Sequence, residues 1–174
     1  LNTLRHNLII DAATPSNIYI NYANDIGTYL NDKSIYNLKV KTSKLEKVTV
    51  YIDLNDNGDF DASEIIYSAI KGIELDGTSA HTINISINRP TIVFDKPLRL
   101  RVIADQANGP TNSCVIKGGQ IKDYYVVIKQ QINPNLEGIL FVDKSKAETG
   151  MSGDNWATAI NDLSLAINYA RSNS

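Results

Sequence analysis

The sequence predicts an all-β fold, an antiparallel β-sandwich of immunoglobulin-like or jelly-roll type. Three observations lead there. Short runs rich in Val, Ile, Thr and Tyr recur at near-regular spacing through residues 1–132, with turn residues between them. Several of these runs alternate apolar with polar residues, which suits strands with one face in a core and one in water. No helical period appears before residue 155.

Taken in order, Leu8-Ile9-Ile10 and Asn17 to Tyr22 are short strand candidates on either side of the turn-prone Ala13-Thr14-Pro15-Ser16. Gly27 to Tyr36 reads as turn-rich, with Asn31 and Asp32 at its centre. Tyr36 to Thr42 alternates, and should point Leu38 and Val40 inward and Lys39 and Lys41 outward. Val48 to Asp53 and Ile65 to Leu75 flank an acidic loop, and Asp76-Gly77-Thr78-Ser79 is a turn. His81 to Ile87 places Ile83, Ile85 and Ile87 on one face before Arg89-Pro90 breaks it. Leu98 to Ala104 alternates apolar residues with Arg99 and Arg101. Asn108-Gly109-Pro110 turns, Cys114-Val115-Ile116 suits a short strand, Gly118-Gly119 turns again, and Ile121 to Lys129 is the last strand.

Residues 133–138 (Asn-Pro-Asn-Leu-Glu-Gly) read as a linker, and residues 139–174 follow a different grammar. An apolar run, Ile139 to Val142, leads through the Gly/Ser/Asp loop Thr149 to Asn155 to a helix. Asn161 or Asp162 is its N-cap, and Leu163, Ala166, Ile167 and Ala170 its apolar stripe. One strand, a loop and a single helix bury little by themselves, so this tail is expected to open a second, truncated domain.

At 174 residues with a net charge of −2 and pI near 5.6, the chain carries no basic field for nucleic acid. No apolar run is long enough to insert into a membrane. The start at Leu1 reads as that of a processed or excised piece. Cys114 is the single cysteine, so no disulfide forms within the chain.

The segment that carries chemistry is Asp53 to Glu64, DLNDNGDFDASE, which fits the calcium-loop order D-x-[DN]-x-[DN]-G-x5-E. Asp53, Asn55 and Asn57 place side-chain oxygens at positions one, three and five. Gly58 permits the sharp turn at six. Asp59 offers its main-chain carbonyl, Asp61 binds directly or through water, and Glu64 closes with both oxygens. Ca²⁺ takes about six to eight oxygens, which this order supplies from one short segment. The flanks, Val48 to Ile52 and Ile65 to Tyr67, favour strand, so the loop would join two strands rather than two helices. The plainer alternative is an acidic solvated turn, since Asn, Asp and Gly are ordinary turn residues. Extracellular calcium modules work at roughly 10⁻⁴–10⁻³ M affinity, so the loop favours an extracellular or cell-surface location.

The chain resembles known families in two stretches. Val50 to Phe60 through Glu64, then Arg99-Leu100-Arg101-Val102, then Gly118-Gly119-Gln120-Ile121-Lys122-Asp123-Tyr124 resemble the GEVED domain of secreted bacterial proteins, over about residues 1–131. Gln120 and Lys122 stand where that family has two glutamates. The resemblance implies that any cation is held by the loop itself, with Asp123 as a further candidate. Residues 139–174, through Phe141-Val142-Asp143, Gly153-Asp154-Asn155-Trp156-Ala157, Leu163 and Ala166, are similar to the opening of a pectate-lyase-like right-handed parallel β-helix domain. That resemblance implies a helix capping a first coil.

Tyr19, Tyr22, Tyr29 and Tyr36 suit strand packing, with a sugar-stacking face as the alternative. Trp156 should pack the capping helix, and Cys114 should be a small buried residue. Cys114 with His81 as nucleophile and base lacks an orienting third group, and His6 has no context. The expectation is a non-catalytic calcium-binding module of a secreted or surface bacterial protein, a spacer or adhesion domain beside a β-helix. A carbohydrate-binding module is the alternative, and a glycan or a surface protein is the partner either reading allows.

Overall fold

A computed structural model describes residues 19–32, 34–87, 91–108, 113–146 and 152–173, together with the backbone of 3–10. The expected turn at 13–16, the first two residues of the 17–22 run, the 89–90 break, Gly109-Pro110, the start of the 149–155 loop and the His6 side chain lie outside the described residues.

Nine strands are described: β1 (Thr3–Ile10), β2 (Tyr19–Asn21), β3 (Gly27–Asn31), β4 (Ile35–Thr42), β5 (Glu46–Ile52), β6 (Ile65–Ile70), β7 (Ser79–Ser86), β8 (Pro97–Gln106) and β9 (Gln120–Lys129). They form a three-stranded sheet in the order β1-β4-β7 and a six-stranded sheet in the order β2-β9-β8-β5-β6, with β3 also paired to β9. The two sheets share one core. Leu38 and Val40 of β4 and Ile83 and Ile85 of β7 belong to the same buried cluster as Val48 and Val50 of β5, Val102 of β8 and Val126 of β9. The alternation read from β4 and β7 is what delivers these side chains to one face.

The sheets are mixed, not purely antiparallel as expected. β1 runs parallel to β4, and β2 and β3 both run parallel to β9. β3 also corrects the reading of 27–36 as turn. Gly27 lies opposite Tyr125, and a Cβ there would fall 2.3 Å from the tyrosine ring. Glycine is what lets the ring cross the backbone of a strand. Residues 114–116, expected as a short strand, are loop, and Cys114 is exposed rather than buried.

Beyond β9, Ile132, Ile160 and Ala166 form a separate small cluster, with Leu140, Val142, Leu165 and Tyr169 packed on it. The apolar run at 139–142 contributes one parallel bridge, Val142 to Ile160, instead of a strand. Asp162 is the N-cap of α1 (Leu163–Ser172), accepting from the Ser164 N–H at 2.7 Å. The helix docks through Leu165, Ala166 and Tyr169, whereas Leu163 and Ile167 of the expected stripe are exposed. Trp156 is 64% exposed and meets Phe141 edge-on at 5.1 Å, so it does not pack the helix core.

Candidate functional site: the β5–β6 loop and its anchor

Residues 53–64 connect β5 to β6, antiparallel neighbours in the six-stranded sheet, so the loop joins two strands as the sequence implies. Its base is fixed on both sides. Ile52 and Leu54 are fully buried in the core, the Asp53 N–H donates to the Arg99 carbonyl at 3.0 Å, and the Leu54 carbonyl accepts from the Val93 N–H at 2.8 Å. The backbone then turns through Asp56 at φ +56° and Gly58 at φ +86°, the second being the left-handed position that the sequence assigns to glycine.

The first and last loop acids are buried, Asp53 at 5% exposure and Glu64 at 3%. The Asp53 carboxylate accepts from the Asn57 and Gly58 N–H groups at 3.1 and 3.0 Å. Glu64 follows a short 3-10 turn, Ala62–Glu64, and reaches back across the loop. Its Oε1 accepts from the Leu54 N–H at 2.9 Å and its Oε2 from the Asp61 N–H at 3.1 Å. Asn55 and Asn57 accept from the N–H groups two residues on, at 3.0 and 2.9 Å. Asp59 and Asp61 are exposed. Among the described residues no three His, Cys, Asp or Glu side chains stand together as a metal-ligating group. Asp53, Asp61 and Glu64 thus do not converge as a carboxylate triplet. Like charges resist such an approach, and each buried carboxylate is met instead by backbone N–H donors of the loop. The six-position set draws on more than carboxylates, since Asn55 and Asn57 bring amide oxygens and Asp59 a carbonyl. Among the described residues Asp53 and Glu64 form no ion pair, whereas Asp56 meets Lys96 at 3.6 Å on the surface.

The loop's aromatic residue, Phe60, folds back onto the outer face of the sheet. It packs on Tyr51 with ring centroids 5.5 Å apart and lies 4.7 Å from the Arg101 guanidinium carbon. Arg101 is in turn clamped to Asp123 of the neighbouring strand, Nε to Oδ1 and Nη2 to Oδ2, both at 2.7 Å. The Tyr19 hydroxyl donates to Asp123 Oδ2 at 2.9 Å, and Arg101 Nη1 donates to the Ser113 carbonyl at 2.9 Å. Asp123 is fully buried. Its oxygens are taken by arginine and tyrosine, so it is not brought to the loop as a further cation ligand.

A second acidic anchor sits near the end of β8. The buried Asp105 carboxylate accepts from the backbone N–H groups of Gln106, Lys117 and Gly118 at 2.8, 3.0 and 3.1 Å. Gly119 then runs so close to β8 that a Cβ would lie 1.8 Å from the Ala104 carbonyl oxygen. The three sequence stretches that resemble one domain are therefore one physical unit. The loop supplies Phe60, the β8 stretch supplies Arg101, and the Gly-Gly stretch brings in Asp123.

Residues 47–127 match the GEVED domain model. The match runs from β5 to β9 and contains the loop, Arg101 and Asp123, while residues 1–46 lie outside it. GEVED is a non-catalytic type of module found within larger proteins. No curated protein matches the chain. Among solved structures the chain is similar to PbICP-C from a complex with falcipain-2, at 13% identity and TM-score 0.42, covering 71% of this chain and 98% of that one. It is similar at TM-score 0.28 to a laccase and to a multi-copper oxidase from Pediococcus acidilactici. The laccase is 12% identical, covering 73% of this chain and 30% of its own. The oxidase is 10% identical, covering 92% and 41%.

The other residues singled out in the sequence are apart. His81 is buried between the sheets, with Nδ1 3.1 Å from the Tyr67 hydroxyl and Nε2 3.4 Å from Ser79 Oγ. Burial, helped by the charge of Lys71, pushes its pKa down to about 4. Cys114 lies on the opposite, outer face beside Arg101, so the two form no nucleophile–base pair. Sequence reasoning missed the Arg101–Asp123 clamp. Its one signal was an arginine and an aspartate at alternating positions of two strands, the aspartate being read as a further cation ligand.

Proposed function

We propose that residues 53–64 bind one Ca²⁺ and that the domain is a calcium-stabilised, non-catalytic module of a secreted or cell-surface bacterial protein. The observation that carries this reading is the pair of buried carboxylates, Asp53 and Glu64, which form no ion pair with a cationic side chain among the described residues. Buried carboxylates are ordinarily paired or bound to a metal. Here they close the two ends of a loop whose intervening side chains are oxygen donors. Asp53, Asn55, Asn57, the Asp59 carbonyl, Asp61 and Glu64 would hold the ion, a hard oxygen set suited to Ca²⁺. Bound there, the ion supplies the charge that offsets repulsion between the acids. The chain's own part is to fix the ends. Core burial of Ile52 and Leu54 holds Asp53 in place, and the packing of Phe60 on Arg101 holds the far limb over the sheet.

The module would act as a spacer or adhesion domain, with residues 139–174 opening a β-helix domain beside it. Titration calorimetry with Ca²⁺ tests the site. We expect binding in the micromolar to millimolar range, weakened more by Glu64→Gln than by Asn57→Ala. The first removes charge and a two-oxygen ligand together, the second one neutral oxygen. Absent binding, or equal loss in the two variants, would contradict the assignment.

A further inference from the structure

We propose that the outer face of the six-stranded sheet along β9 binds a linear acidic glycan, with Tyr19, Tyr125 and Tyr29 as stacking rings and Arg99 as the contact for its carboxylates. Register puts these residues on one face. Tyr19 pairs with Ile121, Gly27 and Arg99 both lie opposite Tyr125, and Tyr29 pairs with Val127. Ile121, Asp123, Tyr125 and Val127 alternate to the same side of β9, the side away from the shared core. At about 3.3 Å per residue, Tyr19 stands about 13 Å to one side of Tyr125 along the strand and Tyr29 about 7 Å to the other.

Packing accounts for the other tyrosines but not for these. Tyr36 is buried, and Tyr22 stacks on Tyr124 at 5.4 Å within the inner layer. Tyr19 and Tyr29 remain 45% and 64% exposed. Each is held in place: Tyr19 by its hydroxyl on Asp123, Tyr29 by Lys129 5.6 Å from its ring. Tyr125 lies flat because Gly27 has no side chain to lift it. Fixed rings with a polar tip lose little entropy on binding and suit the C–H face of a pyranose and its hydroxyls. The charge balance selects the class of sugar. Asp123 is already neutralised by Arg101, so Arg99, 3.7 Å away with a side chain 46% exposed, is a second cation on the same acid. Lys129, at the other end, is paired with Asp95. Among the described residues the face therefore sets two arginines, Arg99 and Arg101, on the single carboxylate of Asp123 between its rings.

An array of linear hexasaccharides tests this, with hyaluronan, alginate and polygalacturonate as acidic probes and cellulose and chitin as neutral ones. The whole chain is probed in buffer with calcium and again with chelator. We expect retention of at least one acidic probe over every neutral one. Tyr29→Ala should weaken it about tenfold, about 1.4 kcal/mol, and Arg99→Gln should erase the acidic preference. Both variants should melt with the parent chain. Failure of every acidic probe, equal retention of neutral ones, or variants that bind like the parent would each overturn the proposal. So would a concentration-dependent dimer abolished by Tyr29→Ala, which would give the face to a second copy of the chain. Loss of calcium binding with glycan binding intact would count against the loop reading alone.

Discussion

Asp123→Ala would leave the Arg101 guanidinium without its carboxylate, and the structure sets the size of the penalty. Two charge-assisted hydrogen bonds at 2.7 Å and the acceptor of the Tyr19 hydroxyl vanish together. The arginine side chain is 10% exposed, under Phe60 and beside Tyr19, so water reaches it poorly. Removing one partner of such a pair costs about 3–5 kcal/mol, most of it the unpaired buried charge. In a chain of this length about 2–4 °C of Tm follows each kcal/mol, which gives a fall of about 6–20 °C. Replacing both partners by apolar residues of similar volume, Arg101→Met with Asp123→Leu, removes the orphaned charge and should recover most of the loss. Urea unfolding of the two single variants and the double variant reads this as a coupling energy. An Asp123→Ala loss under about 1 kcal/mol, or a double variant no better than the sum of the singles, would refute the role of the clamp.

Two further substitutions probe the frame. Gly119→Ala puts a methyl group on the Ala104 carbonyl oxygen and should lower the melting temperature sharply, whereas Gly72→Ala, with open space around it, should leave it unchanged. For His81 the folded pKa is near 4, below the ordinary value of 6.5. The unfolded chain thus takes up the proton first, and stability falls as pH drops from about 6.5 towards 4, by about 3 kcal/mol. Comparing urea unfolding at pH 7 and 4.5 in the parent and in His81→Gln isolates this slope, and equal slopes would exclude His81 as its source.

What the sequence made legible was local. The oxygen order of the loop and the alternation of β4 and β7 lie within single segments, so spacing alone exposes them. Pairing is not local. Nothing in Tyr19–Asn21 announces that β2 runs parallel to β9, a hundred residues away. Gly27 and Asn31 mask β3 as a turn because the ring that justifies the glycine belongs to Tyr125. Helix α1 offers two apolar stripes, and the choice of Leu165, Ala166 and Tyr169 is made by Ile132 and Ile160, outside the helix. Asp123 was read as a spare ligand because its partner lies 22 residues earlier, in a strand where arginine reads as solvent-facing.

On the proposed reading one Ca²⁺ sits between Asp53 and Glu64. A crystal structure grown in millimolar calcium tests it most directly. The account predicts a strong metal peak inside the loop, with oxygen distances of about 2.3–2.6 Å to Asp53, Asn55, Asn57, the Asp59 carbonyl and Glu64. A well-ordered loop holding only water, with both buried carboxylates still bonded to backbone N–H groups, would contradict it.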